Sequence, residues 1–309
     1  MLSPEVGLKV GDENLLGVPG FRWIDLRAPD ETSLAKLGDK FGLHKLALED
    51  CLHLDQRPKL EDYPGHHFVV LHGFSCGEDV AEITLHEVHA FLGADFLITV
   101  HDLEHGAIEA VARRVEVDPT GTLGRGVDFL LYLIADALVD SNFPLFEKFD
   151  EAIDDLEEKA FKKPTNTQLQ RSFAVKRSLV MLRRVLSPQR DVVGQLARGN
   201  LPFVTEKTRV YFRDVYDHLQ RLYEHIDTAR DLLGNAMDAW LSVTANRTND
   251  ITKQLTIFAS LFLPMSFVVG FFGQNFDVLS GKPFMWTMVG LLLLIPLGML
   301  WWFRRKNWF

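Results

Sequence analysis

The stretch QLTIFASLFLPMSFVVGFFGQNF, residues 254–276, contains no charged residue over 23 positions. A second uncharged run, residues 283–303, covers 21 positions and follows after the short segment DVLSGK. Each run is long enough to cross the roughly 30 Å hydrocarbon core of a bilayer as an α-helix, at about 1.5 Å per residue. The C-terminal part of the chain is therefore predicted to form a two-span transmembrane hairpin.

Basic residues flank the two predicted spans on one side. Lys253 precedes the first span, and Arg304, Arg305 and Lys306 follow the second, whereas the connecting loop has one acid and one lysine. The positive-inside rule then places both termini in the cytoplasm. Because the N-terminal sequence lacks the apolar stretch of a secretory signal, residues 1–250 are expected to stay cytoplasmic. We expect a multi-pass protein of the inner (plasma) membrane, in contact with the lipid bilayer.

Charge is distributed unevenly between the two parts. Five basic residues and one acid give residues 251–309 a charge of +4, so the total of −9 leaves −13 for residues 1–250. An acidic domain disfavours nucleic acid as a partner, because that affinity rests on lysine and arginine neutralising phosphates. It favours cations as ligands, although acids also simply keep a soluble domain dispersed.

The first hundred residues mix strand-like and helix-like segments. Strand composition is found in FRWIDL (21–26), HHFVVLHGF (66–74), EITLHEVHAF (82–91) and DFLITVH (95–101). The segment ETSLAKLGDKFG (31–42) predicts a short helix, capped by Thr32 or Ser33 and stopped at Gly42. From Asp128 onward, strong helix formers with apolar residues every three or four positions predict long helices, the first continuing to a break at Pro164.

A very long helix is predicted to join the soluble part to the membrane. No proline occurs between Pro202 and Pro264, and apolar or small residues recur there in steps of three, four or seven. One helix of about 65 residues, ending near Phe272, is therefore expected to continue into the first span. The fold class is then α+β. Its expected parts are a cytoplasmic α/β domain (1–127), long cytoplasmic helices (128–250), and the transmembrane hairpin with a basic C-terminal tail (251–309).

One face of this helix carries polar or small side chains with occasional leucines. The recurring positions are Asn249, Thr252, Thr256, Ala259 or Ser260, Leu263, Ser266 and Gly270. Close packing of the two spans would favour such residues. A water-filled path formed where several copies of the helix meet would favour such residues as well, with Leu255 and Leu263 as apolar constrictions. Periodicity leaves both interpretations open.

Enzyme motifs do not account for this sequence. The segment His86-Glu87-Val88-His89 is one residue short of the zincin pattern, and two histidines three apart on a strand point to opposite faces. We found no P-loop, Ser-His-Asp arrangement or Gly-rich dinucleotide turn. The protein is predicted not to be an enzyme and to need no cofactor.

Several segments closely resemble the CorA family of divalent-cation channels. They are VYFRDVYDH (210–218), NRTNDITKQLTIFASLFLPMSFVVGFFGQNF (246–276), WIDL (23–26), ALEDCLHLDQRPKLEDY (47–63) and LLYLIADALVD (130–140), followed by a second span and a basic C-terminus. The resemblance covers nearly the whole chain. It implies a homopentamer whose first spans line the pore, with Asn249, Leu255, Leu263 and Ser266 along the conduit. Thr252, Thr256 and Ala259 of the same stripe are expected to line it as well.

The family signature Gly-Met-Asn is replaced here by Gly273-Gln274-Asn275. The resemblance implies a selectivity filter at these residues, in which a ring of Asn275 amides engages a hydrated ion. Neutral amides suit Mg²⁺, which gives up its water reluctantly. Gln274 either points away from the axis or adds a second amide, and the ZntB zinc transporters also vary at this position. Mg²⁺ is the favoured ion, with Co²⁺, Ni²⁺ and Zn²⁺ as alternatives.

The resemblance also implies regulation by the transported ion. Asp214 matches an acid that binds a regulatory cation between subunits, and either Glu78 or Asp79 is expected to supply the second carboxylate. Internal Mg²⁺ bound there would close the pore. Two other functions stay open: a ZntB-like Zn²⁺ transporter, and a cytoplasmic sensor module for which the hairpin is only an anchor.

Overall fold

A computed structural model describes most of the chain. The described residues are 13–53, 55–77, 79–101, 106–162, 164–273, 281–306 and 308. Six strands are present in them: β1 Glu13–Val18, β2 Phe21–Arg27, β3 Lys59–Tyr63, β4 His66–Cys76, β5 Ile83–Leu92 and β6 Phe96–His101. The helices are α1 Glu31–Phe41, α2 Lys45–Leu52, α3 Gly106–Val117, α4 Val127–Asp140, α5 Phe143–Lys162, α6 Asn166–Arg198, α7 Glu206–Phe272 and α8 Lys282–Arg305. The predicted α+β fold is confirmed.

The strands form one mixed sheet in the order β1-β2-β6-β5-β4-β3. Only β2 and β6 pair in parallel, and the other neighbours are antiparallel. Helices cover both faces, so the central strands are apolar on both sides and read as continuous hydrophobic runs. One face packs with α1 and α2 around Ile24, Val70 and Ile98, and the other packs with the later helices around Leu71 and Leu97.

Two side-chain amides complete the edge of the sheet. The pairing of β3 with β4 ends at Lys59 and Val70, which leaves the rest of β4 without a neighbouring strand on that side. Gln189 of α6 accepts from the backbone N–H of His72 at 2.7 Å and donates to its carbonyl at 3.0 Å. Asn142 accepts from the N–H of Phe74 at 3.2 Å. Both amides are buried and replace the hydrogen bonds of a missing strand.

Two helix boundaries differ from the sequence-based prediction. The cap of α1 is Asp30, whose carboxylate accepts from the N–H of Ser33, so neither Thr32 nor Ser33 is the N-cap. Aspartate is an equally good cap, and the helix simply begins earlier than expected. The long helix predicted from Asp128 to Pro164 is divided after Ser141, where the side chain of Asn142 is used by β4.

The start and the seam of α7 agree with the prediction. Thr205 precedes the helix, and its hydroxyl accepts from the N–H of Thr208 at 3.4 Å and donates to the buried Asp128 of α4 at 2.7 Å. The apolar seam along its first half is buried. Its buried members include Phe212, Val215, Leu219, Leu222, Ile226, Ala229, Leu233 and Ala236.

The chain divides into two compact units, Met1–Met237 and Asp238–Phe309. The predicted three-part division stays a prediction. In the described part of the chain, three segments are long and apolar enough to cross a membrane: Val127–Lys162, Glu206–Phe272 and Lys282–Arg305. The most apolar part of the first is 61% buried, against 11% and 0% for the other two. The first therefore contributes to a protein core, whereas the others expose apolar side chains as helices in lipid do.

Candidate pore face and metal centre

The seven positions predicted to line a conduit all have exposed side chains on α7. They are Asn249, Thr252, Leu255, Thr256, Ala259, Leu263 and Ser266. At about 100° per residue these positions fall within an arc of about 120°. The buried residues Ile257 and Val268 lie on the opposite side of the helix. We call these seven positions together the polar face; large apolar side chains such as Phe258 and Phe262 are exposed beside it.

The chemistry of the polar face suits a hydrated solute. Thr256 donates its hydroxyl proton to the carbonyl of Thr252 at 2.8 Å. That bond satisfies the hydroxyl donor inside the helix, so the oxygen can still accept a hydrogen bond. Leu255 and Leu263 are 67% and 75% exposed and are the bulky apolar members of the face. The face thus alternates oxygen acceptors with apolar side chains.

Gly273 follows the last residue of α7 and still belongs to its hydrogen-bond pattern. Its N–H donates to the carbonyl of Val269 at 2.8 Å. A Cβ at this position would lie 2.9 Å from the same carbonyl oxygen, closer than real Cβ atoms come to backbone. A side chain at this position would therefore force the backbone to shift. The other two predicted filter residues, Gln274 and Asn275, lie outside the described residues.

A group of ionisable side chains surrounds the predicted regulatory residue Asp214. Asp136 and Asp140 on α4 and His218 on α7 each bring one ligand atom within 4.8 Å of the others. His218 Nδ1 lies 3.1 Å from Asp140 Oδ1, and its Nε2 lies 4.0 Å from Asp214 Oδ2. Asp214 and His218 are one turn apart, as are Asp136 and Asp140, so the two helices present both pairs to each other. We call Asp136, Asp140, Asp214 and His218 the carboxylate–histidine group.

Electrostatics in this group favours a bound cation. Burial raises the pKa of Asp136, and the nearby carboxylates of Asp140 and Asp214 raise it further, while His218 lowers it. Burial and the carboxylates of Asp136 and Asp214 raise the pKa of Tyr132 to about 12. Burial is the main cause of both shifts, and the neighbouring carboxylates add to it. Two carboxylates and an imidazole within ligand distance are a reasonable donor set for a divalent cation.

The sequence-based search found only part of this group. It singled out Asp214 and missed Asp136, Asp140 and His218, although all of them lie in segments quoted for the family resemblance. The signal was the spacing of four between Asp136 and Asp140 and between Asp214 and His218, which places each pair on one helix face.

The acids predicted to partner Asp214 are Glu78 and Asp79. Glu78 lies outside the described residues. Asp79 is exposed, accepts from the N–H of Ala81 at 3.0 Å, and lies 3.8 Å from Arg171 of α6. A pairing of Asp79 with Asp214 between two copies of the chain stays a prediction.

Comparisons with known proteins agree with these features. Residues 19–305 match the model of the family described as "CorA-like Mg2+ transporter protein". The cobalt/magnesium transport protein CorA of Thermotoga maritima is 33% identical over 290 residues, which cover 93% of this chain and 83% of the relative. The zinc transport protein ZntB of Yersinia pseudotuberculosis is 26% identical over 255 residues, 82% of this chain and 77% of the relative.

A solved structure supports the same assignment. The complete structure of the CorA magnesium transporter from Methanocaldococcus jannaschii matches with a TM-score of 0.83 and 25% identity, covering 94% of this chain and 92% of that one. Sequence and fold therefore agree over almost the whole length. The chain belongs to the CorA-like Mg²⁺ transporter family.

Proposed function

We propose that the protein is a homopentameric channel that carries Mg²⁺, and also Co²⁺ or Ni²⁺, into the cytoplasm. The ion moves passively, because the membrane potential supplies about 4.6 kcal/mol per 100 mV for a double charge, twice the single-charge value. Two spans cross the inner membrane and both termini are cytoplasmic. Asn275, with Gly273 and Gln274, forms the selectivity filter.

The observation that carries this proposal is the polar face of α7. Seven positions over Asn249–Ser266 are exposed on one side of the helix, while Ile257 and Val268 are buried on the other. A membrane anchor has no need of a continuous polar face, whereas a conduit built from several copies of the helix requires one. This observation favours the channel over the anchored sensor module.

Feedback by the ion follows from the carboxylate–histidine group. A cation bound at Asp214 compensates carboxylates that otherwise repel one another, so internal Mg²⁺ stabilises one arrangement of the cytoplasmic units. We take that arrangement to be the closed one, with Asp79 or Glu78 of a neighbouring subunit as further ligands. Oxygen donors from the aspartates match the preference of Mg²⁺.

Zinc transport is the second candidate, supported by the similarity to ZntB and by the imidazole of His218 in the group. Flux into proteoliposomes that contain the purified protein separates the two candidates. The Mg²⁺ channel should pass Mg²⁺ at a rate set by the membrane potential and unaffected by a pH gradient. Zn²⁺ uptake that follows the pH gradient, without Mg²⁺ uptake, would establish the second candidate. If no divalent ion passes, the anchored sensor module is the function that remains.

A further inference from the structure

The end of α8 and the residues after it combine aromatic and basic side chains. The uncharged run ends at Phe303, and Arg304, Arg305 and Lys306 follow it directly. From Pro283 to Phe303 the helix is about 32 Å long at 1.5 Å per residue, close to the thickness of the hydrocarbon core. In the proposed topology the three cations therefore lie at the level of the lipid headgroups of the cytoplasmic leaflet.

A hydrogen-bonded turn holds Trp308 against the end of the helix. Its N–H donates to the carbonyl of Phe303 at 3.1 Å, and the N–H of Lys306 donates to the carbonyl of Trp302 at 3.1 Å. The bond from Trp308 to Phe303 is the long-range bond of a Schellman motif, which is often accompanied by a hydrophobic contact between the same two residues. That contact is present here, because the two rings stack with centroids 5.2 Å apart and planes 19° apart. The backbone therefore turns back at the end of α8.

This turn places indole rings beside the cations. The ring centroids of Trp302 and Trp308 lie 6.5 Å apart, and the guanidinium carbon of Arg305 lies 5.5 Å from the ring centroid of Trp301. Trp301 and Trp302 are 63% and 48% exposed, whereas Phe303 beneath them in the turn is 2% exposed. Exposed tryptophans are typical of the membrane–water interface, where the ring contacts acyl chains and headgroups at once.

Arg304, Arg305 and Lys306 have exposed side chains and form no ion pair with an acid in the part of the chain that the structure describes. Residues 251–309 contain a single acid, Asp277. The protein thus supplies little negative charge of its own to this end of the span. A cluster of basic residues directly cytoplasmic of a membrane helix is complementary to an anionic lipid surface.

We propose that this end of α8 binds the headgroup of an anionic phospholipid, such as phosphatidylglycerol, in the cytoplasmic leaflet. Arg304 and Arg305 donate to the phosphate oxygens, because a guanidinium fits a phosphate through two parallel hydrogen bonds. Lys306 adds a third positive charge, and the indole rings hold the site at the depth of the headgroups. The proposal rests on the proposed topology and does not depend on which ion is transported.

Brominated lipids provide a direct test, because bromine quenches the fluorescence of tryptophans that lie beside it. The full-length protein carries Trp286→Phe, which removes the tryptophan near the other end of α8, so the tryptophans left near the bilayer are Trp301, Trp302 and Trp308. In equal mixtures of phosphatidylglycerol and phosphatidylcholine, bromination of the phosphatidylglycerol should quench more strongly. The preference for this lipid should be at least about fivefold, the contribution of one basic residue near an anionic surface. Salt at about 1 M should reduce it.

Two variants examine the cations in this background. Arg304→Gln, Arg305→Gln and Lys306→Gln together should abolish the preference, whereas Lys282→Gln, which removes an exposed cation at the other end of α8, is the matched control and should retain it. Arg304→Lys with Arg305→Lys keeps the positive charge on which insertion depends, so its result does not rest on how well the glutamine variant inserts. It should lower the preference at least about twofold, because lysine lacks the paired donors of arginine.

Equal quenching by the two brominated lipids would overturn the proposal, as would a preference that survives the triple glutamine change or is lost equally in Lys282→Gln. An unchanged preference in the lysine variant would also overturn it, since diffuse surface charge would then account for the result. Glycerol phosphate in solution should not remove the preference, and its removal would identify free phosphate as the ligand instead. Because the measurement reports lipid contact, it can fail while the channel proposal stands.

Discussion

Asp136 determines how the carboxylate–histidine group responds to pH. Its pKa is raised mainly by burial and next by Asp140, so it takes up a proton at a higher pH than an exposed aspartate. A raised carboxyl pKa means that ionisation opposes folding, so protonation does not destabilise the fold. Acidification instead protonates the Asp136 carboxylate, which then no longer serves as a metal ligand.

We therefore expect inhibition of flux by internal Mg²⁺ to weaken as the internal pH is lowered into the range where Asp136 takes up its proton, which lies above that of an exposed aspartate. Asp136→Asn should weaken the inhibition throughout this range and flatten its pH dependence. Asp154→Asn, which neutralises an exposed acid on α5, is the matched control. Flux measured in proteoliposomes at several internal pH values gives the result. An undiminished pH dependence in Asp136→Asn would exclude Asp136 from the regulatory site.

The proposed filter is tested by Asn275→Ala. Loss of the amide ring should abolish Mg²⁺ flux while an assembled oligomer is still recovered by size-exclusion chromatography. Gln274→Met, which restores the usual family residue, should preserve flux and shift preference from Zn²⁺ towards Mg²⁺. Normal transport by Asn275→Ala would mean that Gly273-Gln274-Asn275 only ends the helix.

A residue of the candidate site could be predicted when the short segment around it forms a recognisable motif. Gly273 and Asp214 were predicted from the resemblance of their segments to the family, and their roles stay predictions. Asp136 and Asp140 were missed because their closeness to Asp214 depends on α4 packing beside α7, which periodicity does not report.

Among the elements, α7 carries the clearest consequence for conduction. If Leu263 is a constriction, Leu263→Ala should increase Mg²⁺ flux and weaken closure by internal Mg²⁺, because a smaller apolar side chain lowers the barrier to water. Leu261→Ala makes the same change on the opposite side of the helix, where the side chain is half-buried. It should leave flux nearly unchanged. Equal effects of the two substitutions would argue that both act through packing of the span.

The edge of β4 gives a prediction for stability. Gln189→Leu leaves the N–H and carbonyl of His72 buried without partners, which costs about 2–4 kcal/mol. For a unit of this size, the midpoint of thermal unfolding should fall by roughly 5–10 °C. Gln195→Leu, on an exposed position of the same helix, should change the midpoint by much less. Equal midpoints for the two variants would show that water replaces the Gln189 amide.

Elements with a strong internal pattern were predicted well. The four apolar strands β2, β4, β5 and β6 and the helix α7 appear where the sequence indicated them. The edge strands β1 and β3 were missed, because ENLLGV and KLEDY lack the clear alternation of a half-buried strand. The division between α4 and α5 was missed because its cause, the use of Asn142 by β4, is a contact over 68 positions of sequence.

The whole molecule combines an acidic N-terminal part with a C-terminal part of net positive charge, and the proposed topology follows from that distribution. In a chain with Cys51 and Cys76 replaced by serine, a cysteine introduced at Ser280 should react with an impermeant thiol reagent added outside intact cells. A cysteine introduced at Ser242, before the first span, should react only in inside-out vesicles. The reverse pattern would invert the topology.

The backbone of β4 depends on the side-chain amides of Gln189 and Asn142, which are synthesised later than the strand. Gln189 is made 117 positions after His72, so at about 5–20 residues per second the strand leaves the ribosome roughly 6–23 s before its partner. During that interval the nascent chain has unpaired backbone groups that can recruit another strand. Ribosomes stalled before codon 189 should therefore carry chains that bind chaperones or aggregate, and ribosomes stalled after α6 has emerged should not.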